Sequence, residues 1–151
     1  MRLLRVLTFS ALLPFLGAAK ECNVADYGAV ADGRTNNAAA IQKAIDDCSP
    51  AEGVVIVPSG TFLTGTIELK SGVELHLLRG STLLGSPRIA DYRKSPRHNH
   101  TAMILADRAR RIAITGAGAI DGNGLESPDF RSGNNSTGRP NTVNFNDCED
   151  I

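Results

Sequence analysis

After one short helical segment, this 151-residue chain consists of very short β-rich runs with no helix between them. Gly, Ser, Asn or Pro separates the runs, which cover residues 54–57, 60–63, 67–69, 73–77, 82–84, 103–105, 112–114, 119–120 and 143–145. A doubly wound sheet needs crossover helices, and hairpins usually carry two-residue turns between longer strands. The pattern therefore favours a β-solenoid, in which each coil buries its apolar side on its neighbours, and leaves a small β-sandwich as the alternative.

The helical segment comes before all of these runs. Its apolar residues recur at helical spacing, namely Ile41, Ala44, Ile45 and Cys48. Thr35 or Asn36 is available as the N-cap. A stripe this narrow can cover the end of a larger core but cannot build a helical bundle. We therefore predict one helix over residues 37–48, lying across the N-terminal end of the solenoid.

The N-terminus has the pattern of a secretory signal peptide. Two arginines precede a mostly apolar run at residues 6–16, and small residues follow it up to Ala19. The run is far shorter than the roughly 20 residues that cross a bilayer, and Pro14 interrupts it. We therefore predict a signal peptide over residues 1–19, a mature start at Lys20 and no membrane association. The protein is expected to be secreted, either extracellular or, in a bacterium, periplasmic.

Charge and cysteine content exclude some partners. Removing residues 1–19 takes away two arginines and leaves 14 basic against 16 acidic residues, which argues against a nucleic-acid partner.

Of the three cysteines, Cys22 directly precedes the first expected strand and Cys48 ends the helix, so a Cys22–Cys48 disulfide is favoured. Cys148 is then a buried thiol, or pairs with a residue after Ile151. No C-x-x-C spacing occurs, so no metal site and no cofactor are predicted.

Two segments interrupt the β-rich pattern, residues 86–101 and 125–140. Both are rich in Pro, Ser, Asn, Gly and charge, and we interpret them as loops that project from the coils. They contain three N-glycosylation sequons, at Asn99, Asn134 and Asn135. These asparagines are the predicted glycosylation sites if the source glycosylates its secreted proteins.

Several strings resemble a known family. VADYGA at residues 24–29, DGRTNN at 32–37 and AIQKAI at 40–45 resemble the opening of pectin-lyase-like right-handed β-helix proteins. Further strings look like the polygalacturonases, family 28 of the glycoside hydrolases: PSGTF at 58–62, LKSGV at 69–73, LLGS at 83–86, ITGAGAIDGNG at 114–124, and Arg139-Pro140 with Val143, Phe145 and Cys148. The resemblance covers essentially the whole chain after residue 19.

The resemblance implies a fold, an activity and a boundary. The expected fold is all-β, a right-handed single-stranded parallel β-helix with one short N-terminal capping helix. Residues 20–151 are then the N-terminal part of that domain, incomplete at its C-terminus. The implied reaction is inverting hydrolysis of α-1,4-galacturonosyl linkages in pectin, by a full-length protein that is a monomer. A polysaccharide lyase of the same fold and a noncatalytic polysaccharide-binding or degenerate fragment stay open as alternatives.

The family's catalytic strings are absent from this sequence. Its aspartates come from an Asn-Thr-Asp string and an Asp-Asp pair, assisted by Gly-His-Gly and Arg-Ile-Lys strings. The one Asp-Asp pair here, Asp46-Asp47, falls on the predicted helix and is interpreted as solvated surface. Residues 88–90 and 111–113 read Arg-Ile-Ala and so lack the lysine. No catalytic residue is therefore predicted within residues 20–151.

The remaining candidate side chains are interpreted as structural. Asp121 lies among glycines, and the resemblance places it in a turn near the N-terminal coils, where it is expected to accept hydrogen bonds from backbone amides. His76 alternates with Leu75 and Leu77 and should point outward from a strand. Six further side chains either contribute weakly to a polyuronate groove or are simply solvated at the surface: Arg97, Arg108, Arg110, Arg111, His98 and His100.

Overall fold

The computed structural model describes residues 19–95, 100–124 and 139–151. Within these ranges the structure has one α-helix, α1, which spans Ala38–Cys48. The strands are β1 Glu21–Asn23, β2 Val54–Val57, β3 Gly60–Thr64, β4 Ile67–Glu68, β5 Glu74–Leu77, β6 Ser81–Gly85, β7 Ala102–Asp107, β8 Ala113–Gly116, β9 Ala119–Asp121 and β10 Asn141–Asn146.

The strands form three sheets in which every ladder is parallel. Sheet A has the order β1-β2-β5-β8, sheet B has β3-β6-β9, and sheet C has β10-β7-β4. Neighbouring strands of a sheet are therefore one coil apart along the chain. The first coil consists of β2, β3 and β4. This is the predicted right-handed parallel β-helix, and the β-sandwich alternative is wrong because a sandwich would need antiparallel ladders.

The core is built from the inward row of each strand. Along sheet A, Val55 pairs with Leu75, and Leu75 pairs with Ile114 in the next coil. Val55 and Leu75 are fully buried, as is Ile104 on the inner face of sheet C. Because side chains alternate across a strand, each inward aliphatic stacks on its equivalents above and below. The short β-rich runs thus form one continuous core rather than several separate ones.

Helix α1 covers the N-terminal end of this core, as predicted, and begins one residue later than expected. Its buried face consists of Ile41, Ala44, Ile45 and Cys48. The side chain of Asn36 caps the first turn, since its Oδ1 accepts from the N–H of Ala38 at 3.0 Å. The residue between them, Asn37, makes no capping bond. Its side chain is used elsewhere.

Two amide side chains occupy the open strand edges of the first coil. Asn37 Nδ2 donates to the carbonyl of Leu63 in β3, and its Oδ1 accepts from the N–H of Val30. Gln42 binds both backbone groups of Glu68 in β4, accepting from the N–H at 2.8 Å and donating to the carbonyl at 3.0 Å. Each amide therefore replaces the strand that would otherwise pair there. Such capping removes a free edge at which other chains could add.

A turn before α1 contains the carboxylate with the largest downward pKa shift among the described residues. The backbone N–H of Thr35, its hydroxyl and the N–H of Arg34 all donate to the Asp32 carboxylate. These bonds, chiefly the one from the Thr35 N–H, lower the pKa of Asp32 to about 2.

We predict an acid-dependent stability from this turn. Because the folded pKa lies below the unfolded value, the contribution is present above about pH 4 and is lost as the pH falls through about 2. An NMR titration of the Asp32 carboxyl should give a midpoint near 2, and Thr35→Val should raise it by removing one donor. A midpoint near the ordinary 3.8 in the unmodified protein would contradict this account.

One corner of the solenoid repeats a left-handed backbone position in every coil. Two residues before β2, β5 and β8 of sheet A, φ is 49° at Glu52, 76° at Gly72 and 51° at Arg111. Arg111 forms an ion pair with Glu52, so the pair spans the intervening coil. A Cβ at Gly72 would lie 2.9 Å from Cγ of Glu52. Glycine is therefore required at position 72, which lies in the coil between Glu52 and Arg111 and beneath their ion pair.

The sulfur atoms of Cys22 and Cys48 lie within bonding distance, with their Cα atoms 6.1 Å apart. Such a bond would tie β1 to the end of α1. Nonreducing peptide mapping should recover the Cys22–Cys48 link, and replacing both residues by Ala should cost about 3–4 kcal/mol from loop entropy. Recovery of a link from Cys22 to Cys148 would contradict the assignment. Cys148 is half-buried and has a free thiol in the structure.

Several predicted features lie outside the described residues. They are the signal peptide apart from Ala19, the sequons at Asn99, Asn134 and Asn135, and the side chains of Arg97 and His98. All of these remain predictions. No helix within the described ranges is long and apolar enough to cross a membrane.

Candidate functional site

A polar hollow of about 230 Å³ opens between the end of β9 and the start of β10. It is lined by Asp121, Gly122, Asn123, Gly124, Arg139, Pro140 and Thr142. We call this feature the β9–β10 hollow. Its volume lies below the roughly 300–1,000 Å³ typical of drug-sized ligands, so it suits a single small unit.

The floor of the hollow is a fixed turn. Asn123 has a left-handed φ of 51°, and its N–H donates to Oδ1 of Asp121 at 2.8 Å. Its side-chain Nδ2 donates to the carbonyl of Gly85 in the coil before, at 3.0 Å. The corner bond predicted for Asp121 is therefore present, and the turn is anchored to β6. Asp121 presents its other carboxylate oxygen on a rigid support.

The glycines of this turn make room for the opposite wall. A Cβ at Gly122 would lie 3.1 Å from Oγ1 of Thr142, and a Cβ at Gly124 would lie 3.8 Å from Nη1 of Arg139. The Thr142 hydroxyl and the Arg139 guanidinium therefore lie directly above the glycine backbone, with no side chain between. Within the described residues, Arg139 forms no ion pair or hydrogen bond.

Polar side chains continue from the hollow along the outer face of β10. Val143 pairs with the inward Ile104, so alternation places Thr142, Asn144 and Asn146 on the outer face. The equivalent outward residues of β7 begin with Met103, which is 1% exposed. Sheet C is therefore covered on its outer side at the second coil and carries partly exposed amides at the third.

The described part of the loop after β6 is held tightly against sheet C. The N–H of Thr66 donates to the carbonyl of Asp91, and a Cβ at Gly65 would lie only 2.1 Å from that oxygen. Tyr92 Oη donates to the carbonyl of Ser86 at 2.8 Å, and burial raises the pKa of Tyr92 to about 12. The described part of this loop lies beside the polar row of β10, where Asn146 Nδ2 donates to Ser95 Oγ at 3.5 Å.

A second polar cluster lies on the outer face of sheet A. His76 points outward as predicted, and its Nδ1 is 2.6 Å from Oγ1 of Thr115. The Thr115 hydroxyl donates to Oε1 of Glu74 at 2.5 Å. The three side chains join β5 to β8 across two coils. They therefore satisfy one another and tie neighbouring coils together.

The Asp46-Asp47 pair lies on the surface of α1, as predicted, and both carboxylates are paired. Asp46 forms an ion pair with Lys70 at 2.7 Å. Asp47 accepts from Lys20 and Tyr27; the Lys20 hydrogen bond is the largest cause that lowers the pKa of Asp47, and the Asp47 contact in turn raises the pKa of Tyr27. These contacts fasten the helix to β1 and to the first coil. They leave no arrangement here for acid–base catalysis.

The arginines considered for a polyuronate groove lie elsewhere. Arg110 pairs with Glu149 at 3.3 Å, and Arg111 pairs with Glu52 at the corner before sheet A. Arg108 is exposed in a left-handed turn. None of these three lines the β9–β10 hollow. The described arginine that does line it is Arg139, which the sequence had marked only as part of a family string.

A family model described as rhamnogalacturonase A/epimerase, pectate lyase-like, matches residues 22–148. The chain belongs to this family. The match covers all ten strands and α1 apart from the residue before Cys22, so it agrees with the β-helix throughout.

Individual proteins that are similar to this chain support the resemblance to family 28. An exo-poly-α-D-galacturonosidase from Dickeya chrysanthemi is 40% identical over 120 residues, or 70% of this chain and 20% of that protein. A family 28 exopolygalacturonase from Yersinia enterocolitica is 40% identical, with a TM-score of 0.62, over 71% of this chain and 21% of that one. A candidate glycosyl hydrolase from Parabacteroides merdae is 34% identical, with a TM-score of 0.75, over 87% and 63%.

These comparisons confirm the polygalacturonase-like assignment made from the sequence strings. They also show that the chain spans about one fifth of the curated relative it matches at 40% identity. Among the described residues, no three His, Cys, Asp or Glu side chains are grouped so that they could hold a metal ion.

Sequence reasoning missed the β9–β10 hollow as a site. Asn123 and Arg139 are 16 positions apart with a loop between them, so nothing in their spacing brings them together. A usable signal existed in the alternation of Thr142, Asn144 and Asn146, three polar residues on one face of a strand. That pattern predicts a polar outer face but not the arginine that stands above it.

Proposed function

We propose that this chain forms the N-terminal coils of a secreted pectin-degrading glycoside hydrolase of the polygalacturonase type. The observation that carries the proposal is the family match over residues 22–148, together with 40% identity to an exo-poly-α-D-galacturonosidase. Residues 20–151 then supply the capped start of the solenoid, and the substrate is a pectic polysaccharide.

The proposed chemistry is inverting hydrolysis of α-1,4-galacturonosyl linkages. One carboxylic acid protonates the leaving oxygen while a carboxylate on the other face of the sugar activates water. Since residues 20–151 lack the family's catalytic strings, we place those carboxylates in further coils of the longer protein. The present coils contribute a rigid frame, with the polar row of β10 and the β9–β10 hollow on its outer surface.

Extending the reading frame beyond Ile151 tests the proposal first at the level of sequence. An Asn-Thr-Asp string followed by Asp-Asp supports the hydrolase, whereas immediate stop codons support a degenerate remnant. The expressed full-length product should then release reducing sugar from polygalacturonate. NMR should detect the inverted β-anomer as the first product.

The same assay separates the two alternatives. A lyase would produce unsaturated ends that absorb ultraviolet light and would lose activity when calcium is chelated. A noncatalytic polysaccharide-binding protein would retain polygalacturonate on an affinity gel without any turnover. Either result would replace the hydrolase proposal.

Export is part of the proposal and is tested separately. The short apolar run before Ala19 supports cleavage after that residue. N-terminal sequencing of the secreted protein should begin at Lys20. In a host that glycosylates secreted proteins, glycosidase treatment should lower the mass through sugars at Asn99, Asn134 or Asn135.

A further inference from the structure

We propose that the β9–β10 hollow is a subsite for one uronate unit of an acidic polysaccharide, in which Arg139 binds the sugar carboxylate. This inference rests on the proposed function for the class of polymer. It goes further because it assigns a binding site and a residue role within the present coils.

The charges of the lining residues define what the hollow can bind. Arg139 offers a planar guanidinium, which pairs with carboxylates through two parallel hydrogen bonds. Asp121 lines the same hollow and presents an acceptor, which suits a sugar hydroxyl and repels a multiply charged phosphate. A ligand with one negative charge and neighbouring hydroxyl groups fits both residues. A uronate unit has this composition.

The rigidity of the lining residues favours binding. The turn at Asn123 is tied to Gly85 in the coil before, and Thr142 is fixed by the β10 ladder to β7. Because this turn and Thr142 are already held, the conformational entropy lost on binding comes mainly from ordering the exposed Arg139 side chain. Gly122 and Gly124 also leave the backbone bare, so a sugar ring can approach it closely.

The position of the hollow suits one unit of a longer chain. It lies at the start of β10, and the outward amides of Asn144 and Asn146 continue from it along the strand. Neighbouring units of the same polymer would pass over these amides. The hollow itself has room for one unit, which makes Arg139 the residue that reads the carboxylate at that position.

The test measures binding by isothermal titration calorimetry, with trigalacturonate and neutral galactotriose as probes. The protein is the full chain with any residues encoded after Ile151. Arg139→Gln should weaken trigalacturonate binding about tenfold, as expected for loss of one charge-assisted contact, and should leave galactotriose binding unchanged. Arg139→Lys should fall between the two proteins, because it keeps the charge and loses the fork.

The matched control is Arg79→Gln, which removes the same charge from another exposed arginine. It should change neither affinity. Equal trigalacturonate binding by Arg139→Gln and the unmodified protein would overturn the subsite, as would an equal loss in the Arg79 variant.

Hydrolysis is measured in parallel so that the two proposals fail separately. Turnover of polygalacturonate with no effect of Arg139→Gln on affinity rejects the subsite alone. Arg139-dependent binding without turnover keeps the subsite and rejects the hydrolase. If the subsite also acts during turnover, Arg139→Gln should raise KM about tenfold while kcat changes less than twofold.

Discussion

Residues 20–151 expressed alone are expected to form multimers and to release no reducing sugar from polygalacturonate. The structure of the third coil explains why multimers are expected. Among the described strands, its members β8, β9 and β10 are the last in their sheets, so each has an edge that no described strand pairs with. Its inward side chains are also uncovered: Val143 is 40% exposed, whereas its partner Ile104 in the coil before is fully buried. Open edges beside exposed aliphatics pair readily with other chains.

The absence of turnover follows from the chemistry of inversion. That reaction needs an acid and a water-activating carboxylate held roughly 6.5–9.5 Å apart across the substrate. Within residues 20–151, the one Asp-Asp pair is engaged in ion pairs on α1. Genuine turnover by this polypeptide would overturn the placement of the catalytic groups in further coils.

A matched pair of variants distinguishes association through the open strand edges from nonspecific aggregation. Val143→Glu places a charge on the open inner row of β10, whereas Val30→Glu places the same charge at a similarly exposed valine, 47% exposed, away from that face. Light scattering should show mainly monomer for Val143→Glu and multimers for Val30→Glu. A stable monomer before any substitution would refute the open-edge argument.

Asn37→Asp is expected to lower the free energy of unfolding by about 3–5 kcal/mol, although it changes one atom. The buried Asn37 amide donates to the carbonyls of Val30, Thr35 and Leu63, at 2.8–3.1 Å. An aspartate keeps the acceptor for the Val30 N–H but donates to none of these carbonyls when ionised. All three carbonyls then lose this donor and face a buried negative charge.

The neighbouring Asn36 supplies the control. Its Oδ1 accepts from the N–H groups of Ala38 and Gly65, and no described bond uses its nitrogen as a donor. Asn36→Asp therefore keeps both contacts and adds a negative charge at a helix N-terminus, so its cost should stay under about 0.5 kcal/mol. Both variants are compared by urea denaturation in the Val143→Glu background. Equal costs would contradict the edge-capping role of Asn37.

The fold could be predicted because its signals are local. Short aliphatic runs with glycine corners indicated a solenoid, and the spacing of Ile41, Ala44 and Ile45 indicated the helix that caps it. Each of these patterns reports which side of an element is buried, and burial is the dominant favourable term in folding. The outward direction of His76 followed from the same local rules, and the corner bond of Asp121 followed from the family resemblance.

The candidate site could not be predicted in the same way. Asn123 and Thr142 both belong to the third coil, and they meet because β9 and β10 each pair with a strand of the coil before. The distance along the chain does not encode that approach. The role of Asn37 was also hidden, since a helix-start asparagine normally caps its own helix. Here the N–H of Val30 donates to the Oδ1 atom that would otherwise cap the helix, and Nδ2 donates to the carbonyl of Leu63 at the open edge of β3.

The sequence by itself determined the class of this protein: a β-helix with a capped start, similar to polygalacturonases, and without their catalytic strings. These properties depend on local residue patterns, which act over one strand, one turn or one helix. Only the tertiary structure decided which polar groups satisfy one another and which face outward. Stacking of the coils paired Arg111 with Glu52, and the corner between β9 and β10 in the third coil left the Arg139 guanidinium above the backbone of Gly124. Both contacts join residues that the chain order keeps apart.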